Sequence, residues 1–415
     1  MNKDQKMTEL DDAIELILES IGPVTETEVV SLDEVCGRVL AQEVRSGLNV
    51  PAFDNSAMDG YALNSADFLK SDVPADGLKG KSFTVSQRIP AGSQGSPLEK
   101  GTVARIFTGA PVPQGADLVI QQEHAQVQED GRVIFTHWHA GGDNIRLAGE
   151  DIQKKAVVIP AGKRLGVADI GLAASIGMAQ FSVYRRPKVA LFVTGDELTE
   201  PGQDLKPGGI YNSNQYVLRE LLKKQGCEVS DLGIIRDSLP SVEEHLKEAA
   251  KSHNLILTSG GVSVGEEDHV KHAVQNLGEL KLWKLAFKPG KPLAFGRVGG
   301  DGSAWFLGLP GNPVASFVTF LMVVRPFLQK ISGQNVSPVK AMQLPANFSG
   351  KTKGRREFWR ARINEESGVD IYPNQGSGVL TSMAWGQGFV DVPARTEVKQ
   401  GDLIRYIPFS HFLDA

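Results

Sequence analysis

Residues 258–274 read TSGGVSVGEEDHVKHAV and place a glycine-rich turn directly after the apolar run NLIL. The order strand, glycine turn, helix presents free backbone N–H groups and the positive end of a helix dipole, which together favour an anion. Three acids follow the turn at Glu266, Glu267 and Asp268, although carboxylates repel anions. A hydrated Mg²⁺ ion resolves this conflict, because it takes one or two carboxylates together with phosphate oxygens. The stretch therefore predicts a phosphorylated ligand bound with Mg²⁺.

The chain around this turn alternates strands with helices. The predicted strands are 188–193, 228–235, 254–259 and 304–309, and helical stretches at 212–226 and 239–253 separate the first three. Asn212 or Ser213 is a candidate N-cap of the first helix, and Ser238 is a candidate N-cap of the second. Alternation of this kind predicts a parallel sheet whose strands all end at one edge, where such sheets bind their ligands.

An unusual loop follows each of these four strands. The loops are TGDE at 194–197, RD at 236–237, SGGVSVGEED at 259–268 and LPGNP at 309–313. We expect one crevice to collect Asp196, Glu197, Asp237 and Asp268, with two glycine-rich turns and two prolines. Each loop alone has an ordinary explanation as a tight turn, a dipole-paired acid or a proline in a first helical turn. Their coincidence at one edge favours a binding site.

Three lysines precede the last of these strands, in the predicted strand–turn–strand segment LWKLAFKPGKPLAFG. Lys284 and Lys288 are an even number of residues apart, so they share a face if the strand is regular. Lys284 also lies between apolar neighbours, where an unpaired charge is costly. We therefore expect Lys284 and Lys288 to contact a phosphate or oxyanion, whereas Lys291 fits a solvated turn equally well.

The composition is that of a globular protein, with 415 residues, 22% of them charged and 41% hydrophobic. A net charge of −5 without a Lys/Arg block argues against a nucleic-acid partner. The two cysteines, Cys36 and Cys227, support neither a disulfide framework nor a cysteine zinc site. The N-terminus is too acidic for a signal peptide and no apolar run approaches a membrane span. We expect a cytoplasmic protein with no membrane partner.

The fold class predicted from these patterns is a multidomain α/β plus all-β protein. A composite helical and β region (1–45 with 146–180) and a small β domain (46–145) precede a central α/β domain (181–332) and a C-terminal β domain (333–415). We expect the central domain to be three-layered, with a mostly parallel sheet, and the C-terminal domain to be barrel-like.

Several motifs in this order resemble those of the MoeA family of molybdopterin molybdenumtransferases. They are PAFDNSAMDGYAL (51–63), TGAPVP (108–113), RLAGEDI (146–152), TGDEL, GIIRD, SGGVSVG, KLAFKPGKP, GLPGNPVASFVTF and QGSG (375–378). The resemblance implies insertion of molybdate into adenylylated molybdopterin with release of AMP. It also implies a homodimer, with residues 1–45 and 146–180 as linker and dimerisation region. Each cleft would join the small β domain of one subunit to the α/β and C-terminal domains of the other, and the molybdopterin adenylyltransferase of the preceding step would be a contact partner.

The resemblance, together with the need of the molybdate dianion for donor groups, assigns roles to individual residues. The candidate catalytic residues are Asp59, Thr108, Asp151, Glu197, Asp237 and Asp268, of which Glu197, Asp237 and Asp268 are also candidate Mg²⁺ ligands. The candidate substrate contacts are Gly260, Gly261, Ser263, Lys284, Lys288, Pro310, Pro313, Arg355 and Ser377. Two positions depart from the family's frequent residues, with His269 in place of a tyrosine and Gly378 in place of a histidine. We expect these departures to change ligand contacts rather than the reaction.

Two other functions remain open. One is a sister enzyme on the same α/β fold, which adenylylates molybdopterin or acts on another nucleotide; the additional N- and C-terminal regions argue against it. The other is a non-enzymatic dimeric scaffold, against which the full set of acids and the lack of a long linker argue.

Overall fold

The computed structural model describes residues 7–23, 25–68, 80–138, 140–261, 269–299 and 304–413. These residues form two compact units. Unit 1 comprises the described parts of Met1–Gln42, Ala161–Val167 and Gln180–Ala415, and unit 2 comprises those of Glu43–Pro160 and Ala168–Ala179.

The helices of the described residues are α1 (Leu10–Glu19), α2 (Ser65–Phe68), α3 (Val167–Ser175), α4 (Asn214–Lys224), α5 (Leu239–Ala250), α6 (His269–Leu277), α7 (Pro313–Thr319), α8 (Arg325–Ile331), α9 (Thr381–Trp385) and α10 (Ser410–Leu413). The longest of these are α4, with 11 residues, and α5, with 12. Helix α4 shows why they form, because Leu218, Leu221 and Leu222 recur at helical spacing and are buried on one face.

Strands occur throughout the described chain. The first group is β1 (Thr27–Ser31), β2 (Val44–Arg45), β3 (Asn55–Ser56), β4 (Gly60–Leu63), β5 (Ser82–Phe83), β6 (Val85–Ile89), β7 (Val103–Ile106), β8 (Leu118–Gln121), β9 (Ala125–Val127), β10 (Val133–Phe135), β11 (Ile145–Arg146), β12 (Val157–Ile159) and β13 (Gln180–Tyr184). The second is β14 (Lys188–Thr194), β15 (Leu198–Thr199), β16 (Ile210–Tyr211), β17 (Glu228–Ile235), β18 (Leu255–Ser259), β19 (Gly278–Lys284), β20 (Phe287–Lys288), β21 (Pro292–Val298) and β22 (Ala304–Leu309). The third is β23 (Met342–Pro345), β24 (Gly350–Lys351), β25 (Arg356–Ile363), β26 (Val369–Ile371), β27 (Gly388–Val392), β28 (Glu397–Val398) and β29 (Leu403–Pro408).

A six-stranded sheet organises the α/β region of unit 1, in the order β17-β14-β18-β22-β21-β19. The first four strands are mutually parallel. Strand β21 runs antiparallel to β22, and β19 runs antiparallel to β21, so that β21 alone opposes the direction of the other five. Strand β18 is buried at every residue and β14 at every residue after its first, as expected for strands covered on both faces. All four strands expected from the sequence are present.

Alternate residues of the sheet enter two different cores. Val189 and Leu191 of β14 pack in one core with residues of α4 and α7. Ala190 and Phe192 of the same strand pack in the other core, with residues of α5 and α6. The period-two alternation of a strand therefore distributes the helices over both faces of the sheet.

One continuous helical stretch runs from Pro313 to Ile331, as α7, a π-helical turn at Phe320–Val324, and α8. By length and composition it could cross a membrane, so the expectation that no apolar run approaches a membrane span was wrong. Its most apolar window is, however, 89% buried inside the protein. The stretch is apolar because it is a core helix.

A second six-stranded sheet in unit 1 has the order β20-β25-β27-β29-β23 with β26 beside β25. Strand β19 ends at Lys284, and Lys288 belongs to β20, which pairs with β25 of this other sheet. The regular strand needed for Lys284 and Lys288 to share a face therefore does not exist. The physical reason is that Phe287 leaves the central sheet to pack against Phe358, with ring centroids 5.8 Å apart.

Unit 2 is built mainly from short strands. Its larger sheets have the orders β6-β7-β4-β8 and β5-β10-β9, and two-stranded ladders join β11 to β3 and β12 to β2. The β11–β3 ladder places the RLAGEDI segment beside FDNSAMDG, and the backbone N–H of Ala148 donates to Asp54 Oδ1 at 2.7 Å.

A buried carboxylate ties helix α1 to the second sheet of unit 1. Asp391 has a side chain only 3% exposed and accepts two hydrogen bonds from Arg356, at 2.7 and 2.8 Å. Arg405 Nε lies 3.0 Å from the same carboxylate, and Arg356 also reaches Asp11 of α1. The hydrogen bond from Arg356 to Asp391 is the main cause of the raised pKa of Arg356.

We predict that Asp391→Asn lowers the free energy of unfolding by about 2 kcal/mol, because charged hydrogen bonds are lost at a buried position. Urea unfolding followed by tryptophan fluorescence measures this change. The matched control is Glu220→Gln, which removes an exposed pair with Lys223 and should leave unfolding unchanged. Equal unfolding of both variants and the wild type would contradict the assigned role of Asp391.

Candidate active site

The carboxyl ends of the parallel strands lie side by side at one edge of the central sheet. The register pairs Thr194 with Ile235, Val193 with Ser259, and Ser259 with Leu309. A cavity of about 890 Å³ opens at this edge, and we call it the strand-end cavity. Among the predicted site residues, those that line it are Glu197, Asp237, Gly260, Gly261, Lys288, Pro310, Pro313, Arg355 and Ser377.

Other predicted residues lie elsewhere. Asp196 and Lys284 are not part of the described lining of the strand-end cavity. Ser263 and Asp268 lie outside the described residues. Asp59, Thr108 and Asp151 belong to unit 2.

A larger groove, of about 1280 Å³, is bounded by α1, α8 and the second sheet of unit 1. Apolar residues such as Leu10, Ile14 and Leu321 form part of its wall. None of the predicted site residues lines it in the described part of the chain. We therefore take the smaller strand-end cavity as the candidate active site, because the predicted charged residues Glu197, Asp237, Lys288 and Arg355 line it.

The glycine turn after β18 is close-packed against the end of β14. Gly260 has φ +96°, and a Cβ there would lie 2.7 Å from the carbonyl oxygen of Thr194. Gly261 has φ +63°, and a Cβ there would lie 2.5 Å from a methyl group of Val270. Both positions therefore require glycine, for conformation as well as for space.

The N–H group of Gly260 is not free, contrary to the expectation from the sequence. It donates to the carbonyl oxygen of Leu309 at 3.1 Å, because the turn packs directly on the end of β22. Gly261 follows it at the cavity wall, and its N–H group meets no acceptor among the described residues. An anion at this turn would thus use Gly261 rather than Gly260.

Two carboxylates line the described cavity without a protein cation bound to them. Asp237 Oδ1 is buried and has no hydrogen-bond partner among the residues that the structure describes. Glu197 is exposed and lies two residues after Gly195. Gly195 has φ +152°, and a Cβ there would lie 2.7 Å from the Glu197 carboxylate, so this position leaves room for the carboxylate only as glycine. No group of three or more His, Cys, Asp or Glu side chains in metal-binding proximity occurs among the residues that the structure describes.

Positive groups occupy the lining as well. Lys288 Nζ lies 3.4 Å from Glu357 Oε2, an oxygen that also accepts from Trp359 Nε1 at 2.9 Å. Arg355 donates to the carbonyl oxygen of Phe287 at 3.3 Å, and Lys291 is an exposed residue of the wall. Lys288, Lys291 and Arg355 carry three positive charges against the two negative charges of the carboxylates, so the described lining has a net charge of +1.

Helix geometry adds to this positive potential. Helix α4 begins at Asn214 and α7 begins at Pro313, and both residues line the cavity. Their N-termini carry partial positive charge, which favours an anionic ligand.

Asn214 and Ser259 are among the residues of the cavity wall that the sequence did not indicate as site residues. Asn214 was read only as part of a helix start, where Ser213 is the N-cap but makes no capping hydrogen bond. Ser238 likewise precedes α5 without a side-chain capping bond. The hydrogen bonds of Asn214 reach residues 45 and 97 positions away in the chain, so no local pattern could have indicated them.

The predicted residues of unit 2 include a hydrogen-bonded pair. Asp59 Oδ1 accepts from the backbone N–H and the hydroxyl of Thr108, each at 2.8 Å. These two bonds, with a smaller contribution from the Arg105 guanidinium, hold the pKa of Asp59 below its usual value. Asp151 is exposed.

Family comparisons cover most of the chain. Residues 8–177 match the MoeA N-terminal region (domain I and II), residues 190–330 a probable molybdopterin binding domain, and residues 344–409 the MoeA C-terminal region (domain IV). The chain is 38% identical to the molybdopterin molybdenumtransferase of Haemophilus influenzae, over 98% of this chain and 100% of the relative. It is 40% identical to that of a Nostoc species, over 74% of this chain and 70% of the relative.

Solved structures agree with these matches. Two crystal structures of the molybdopterin biosynthesis MoeA protein from Pyrococcus horikoshii share 29% and 26% identity with this chain, with TM-scores of 0.77 and 0.83. Each match covers 97% of this chain, and 99% or 100% of the solved one. The chain therefore belongs to the MoeA family of molybdopterin molybdenumtransferases.

Proposed function

We propose that this protein is a molybdenum insertase that transfers molybdate into adenylylated molybdopterin and releases AMP. The observation that carries the proposal is the strand-end cavity, which Glu197 and Asp237 line together with Lys288 and Arg355 in a chain of this family. The names of the relatives, molybdopterin molybdenumtransferases, support the same reaction.

The size and charge of the cavity support a substrate larger than molybdate alone. A volume of about 890 Å³ is within the range of sites for cofactor-sized ligands. The net positive lining and the two helix N-termini suit the phosphates of an adenylylated pterin. Molybdate is itself a dianion, so donors such as Lys288, Arg355 and the Ser377 hydroxyl would hold it rather than carboxylates.

Pro313 and Ser377 come from distant parts of the chain and meet at the start of α7. The N–H of Val314 donates to the carbonyl oxygen of Ser377 at 3.0 Å, which holds the QGSG segment against the LPGNP loop. Ser377 lines the same cavity as Lys288.

The carboxylates fit Mg²⁺, the cofactor that we propose. The buried Asp237 Oδ1 has no partner in the described part of the chain, and Glu197 offers a second carboxylate. Mg²⁺ takes one or two carboxylates beside phosphate oxygens and water. Asp268, outside the described residues, would complete the set by family resemblance. When bound, the ion would neutralise charge on the phosphate oxygens.

The protein's own groups would then assist hydrolysis of the phosphoanhydride. Attack of water forms a new bond to phosphorus and breaks the bond to the bridging oxygen, so AMP leaves. Asp237 or Glu197 would orient this water and accept its proton, while Lys288 and Arg355 would neutralise charge on the oxygens.

Finer features of the family complete the proposal. We infer that the protein is a cytoplasmic homodimer and that it contacts the molybdopterin adenylyltransferase. Each subunit would have a three-layer central domain and a barrel-like C-terminal domain. In this dimer, Asp59, Thr108 and Asp151 of one subunit would serve the strand-end cavity of the other. The support is that these three residues and the cavity belong to separate compact units, and that Asp59 and Thr108 are hydrogen-bonded as a pair.

The direct test is AMP release by the purified protein with adenylylated molybdopterin, molybdate and Mg²⁺. Release that depends on molybdate supports the insertase. Consumption of a nucleoside triphosphate with free molybdopterin, and no release of AMP from the adenylylated form, would instead identify the adenylyltransferase alternative.

We predict that Asp237→Asn lowers kcat for AMP release at least about 100-fold, because a charged ligand or proton acceptor is lost with little change of volume. The control is Glu244→Gln on α5, an exposed residue outside the described lining, which should keep wild-type turnover. Turnover within about threefold of wild type in Asp237→Asn would remove this carboxylate from the mechanism.

We predict that Lys288→Ala raises the half-saturating concentration of molybdate or of the adenylylated substrate about tenfold, the loss expected for one charge-assisted hydrogen bond. Lys281→Ala is its control, since Lys281 is exposed on β19 and pairs with Glu279 outside the cavity. Steady-state kinetics with each ligand varied in turn measures the effect. Unchanged half-saturation for both ligands would refute the anion-binding role of Lys288.

The shared cleft predicts complementation between inactive variants. Mixing Asp59→Asn and Asp237→Asn homodimers under exchange conditions should restore roughly a quarter of wild-type activity, because about half the dimers are mixed and each has one intact cleft. Exchange is followed with mass-tagged subunits. Complete exchange with activity at background would show that the two acids do not share an intersubunit site.

A further inference from the structure

A hydrogen-bond network joins the two loops at the floor of the strand-end cavity. Asn214 Nδ2 donates to Ser259 Oγ at 2.9 Å and to the carbonyl oxygen of Gly311 at 2.7 Å. Ser259 Oγ in turn donates to the carbonyl oxygen of Pro310 at 2.9 Å. Ser259 is the last residue before the glycine turn, and Pro310 and Gly311 follow β22 directly. A single side chain of α4 therefore connects both loops.

The direction of each hydrogen bond in this network is determined. The carbonyl oxygens of Pro310 and Gly311 can only accept, so the Asn214 amide must turn its nitrogen, not its oxygen, toward Gly311. The Ser259 hydroxyl donates its only hydrogen to the carbonyl oxygen of Pro310. Its oxygen therefore accepts the hydrogen bond from Asn214 Nδ2. The two amide hydrogens of Asn214 thus serve one loop each, and an amide flip would break both bonds.

The surroundings make the network consequential. Ser259 is 2% exposed, so water cannot readily replace a lost donor. The two loops are also in direct contact, since a Cβ on Gly311 would lie 3.8 Å from the Gly260 Cα. The Asn214 amide does not serve to cap or stabilise the first turn of α4, because both hydrogen bonds from its Nδ2 go to residues outside that helix.

We propose that Asn214 is a positioning residue of the transferase reaction. It acts through Ser259 and Gly311, and sets the spacing between the glycine turn and the LPGNP loop, hence the placement of the substrate phosphates between them. The inference rests on the proposed function, since it requires that the strand-end cavity holds the phosphorylated substrate. Misplacement of bound groups by about 1 Å costs up to about 100-fold in rate.

The test compares Asn214→Ala and Asn214→Asp with wild type in AMP release. Aspartate has the shape of asparagine but no hydrogens for Ser259 and Gly311, so both variants should lose about 10- to 100-fold in kcat. For Asn214→Ala we expect KM to change less than about threefold, because Asn214 acts on placement and not on a charge that binds the substrate. The new negative charge of Asn214→Asp lines the anion-binding cavity and should raise KM as well. Wild-type kcat in Asn214→Asp, or a change confined to KM in Asn214→Ala, overturns the inference.

The matched control is Asn276→Ala. Asn276 donates one amide hydrogen bond to Glu243 at 2.8 Å in the same α/β region, but outside the described lining of the cavity. Its kcat should stay within about twofold of wild type, and thermal unfolding should show all variants folded at the assay temperature. An equal loss of kcat in Asn276→Ala would show a general structural effect and overturn the specific role of Asn214.

A double-mutant cycle with Ser259→Ala tests the network itself. If Asn214 acts through Ser259, the double variant should be no more than about threefold worse than the poorer single variant, because one network is lost either way. If the fold-loss of kcat in the double variant equals the product of the losses in the two single variants, the two residues act independently and the inference is overturned. The wild-type assay separates the two levels of the argument. Absence of AMP release by wild type would refute the proposed function, whereas wild-type release with an unaffected Asn214→Ala would refute only the role of Asn214.

Discussion

Val193, Ser259 and Leu309 are ladder neighbours at the ends of three parallel strands, and Thr194 pairs with Ile235 of a fourth. This register is the constraint on which the candidate site depends. Because the strands are parallel, every loop that follows them starts at the same edge, although the loops are up to about 115 residues apart in the chain. A slip of one residue would turn each strand's buried set toward the wrong core and would separate the loops.

The second sheet of unit 1 supplies the positive side of the cavity. Phe287 and Lys288 pair with Arg356 and Glu357 of β25, which holds Lys288 near the Glu357 carboxylate and brings Arg355 to the wall. The central sheet alone contributes Asp237 and Glu197 with the glycine turn. Positive and negative side chains thus reach one cavity from two different sheets. The central sheet contributes the carboxylates, and the second sheet contributes cations that would offset both these carboxylates and a phosphorylated ligand.

Local sequence pattern was sufficient to predict the strands of the central sheet and the edge at which their loops meet. It was not sufficient to predict the contacts between those loops. Strands 228–235 and 304–309 have the bounds expected from the sequence, because apolar runs and turn residues mark them. Lys288 was expected to continue the strand that contains Lys284, but it lies in β20 of the other sheet. Local pattern could not indicate this, because the contact of Lys288 with Glu357 joins residues 69 positions apart. Asn214 was missed for the same reason. The free N–H expected at Gly260 proved to be bonded to Leu309, a consequence of loop packing that composition does not encode.

The measurement that tests the central claim most directly is a crystal structure of the protein with AMP bound. The account predicts the phosphate group in the strand-end cavity, within hydrogen-bonding distance of Gly261 N–H and on the side of Lys288 and Arg355. Density for AMP in the groove beside α1, or on unit 2 with the strand-end cavity free of ligand, would contradict the account.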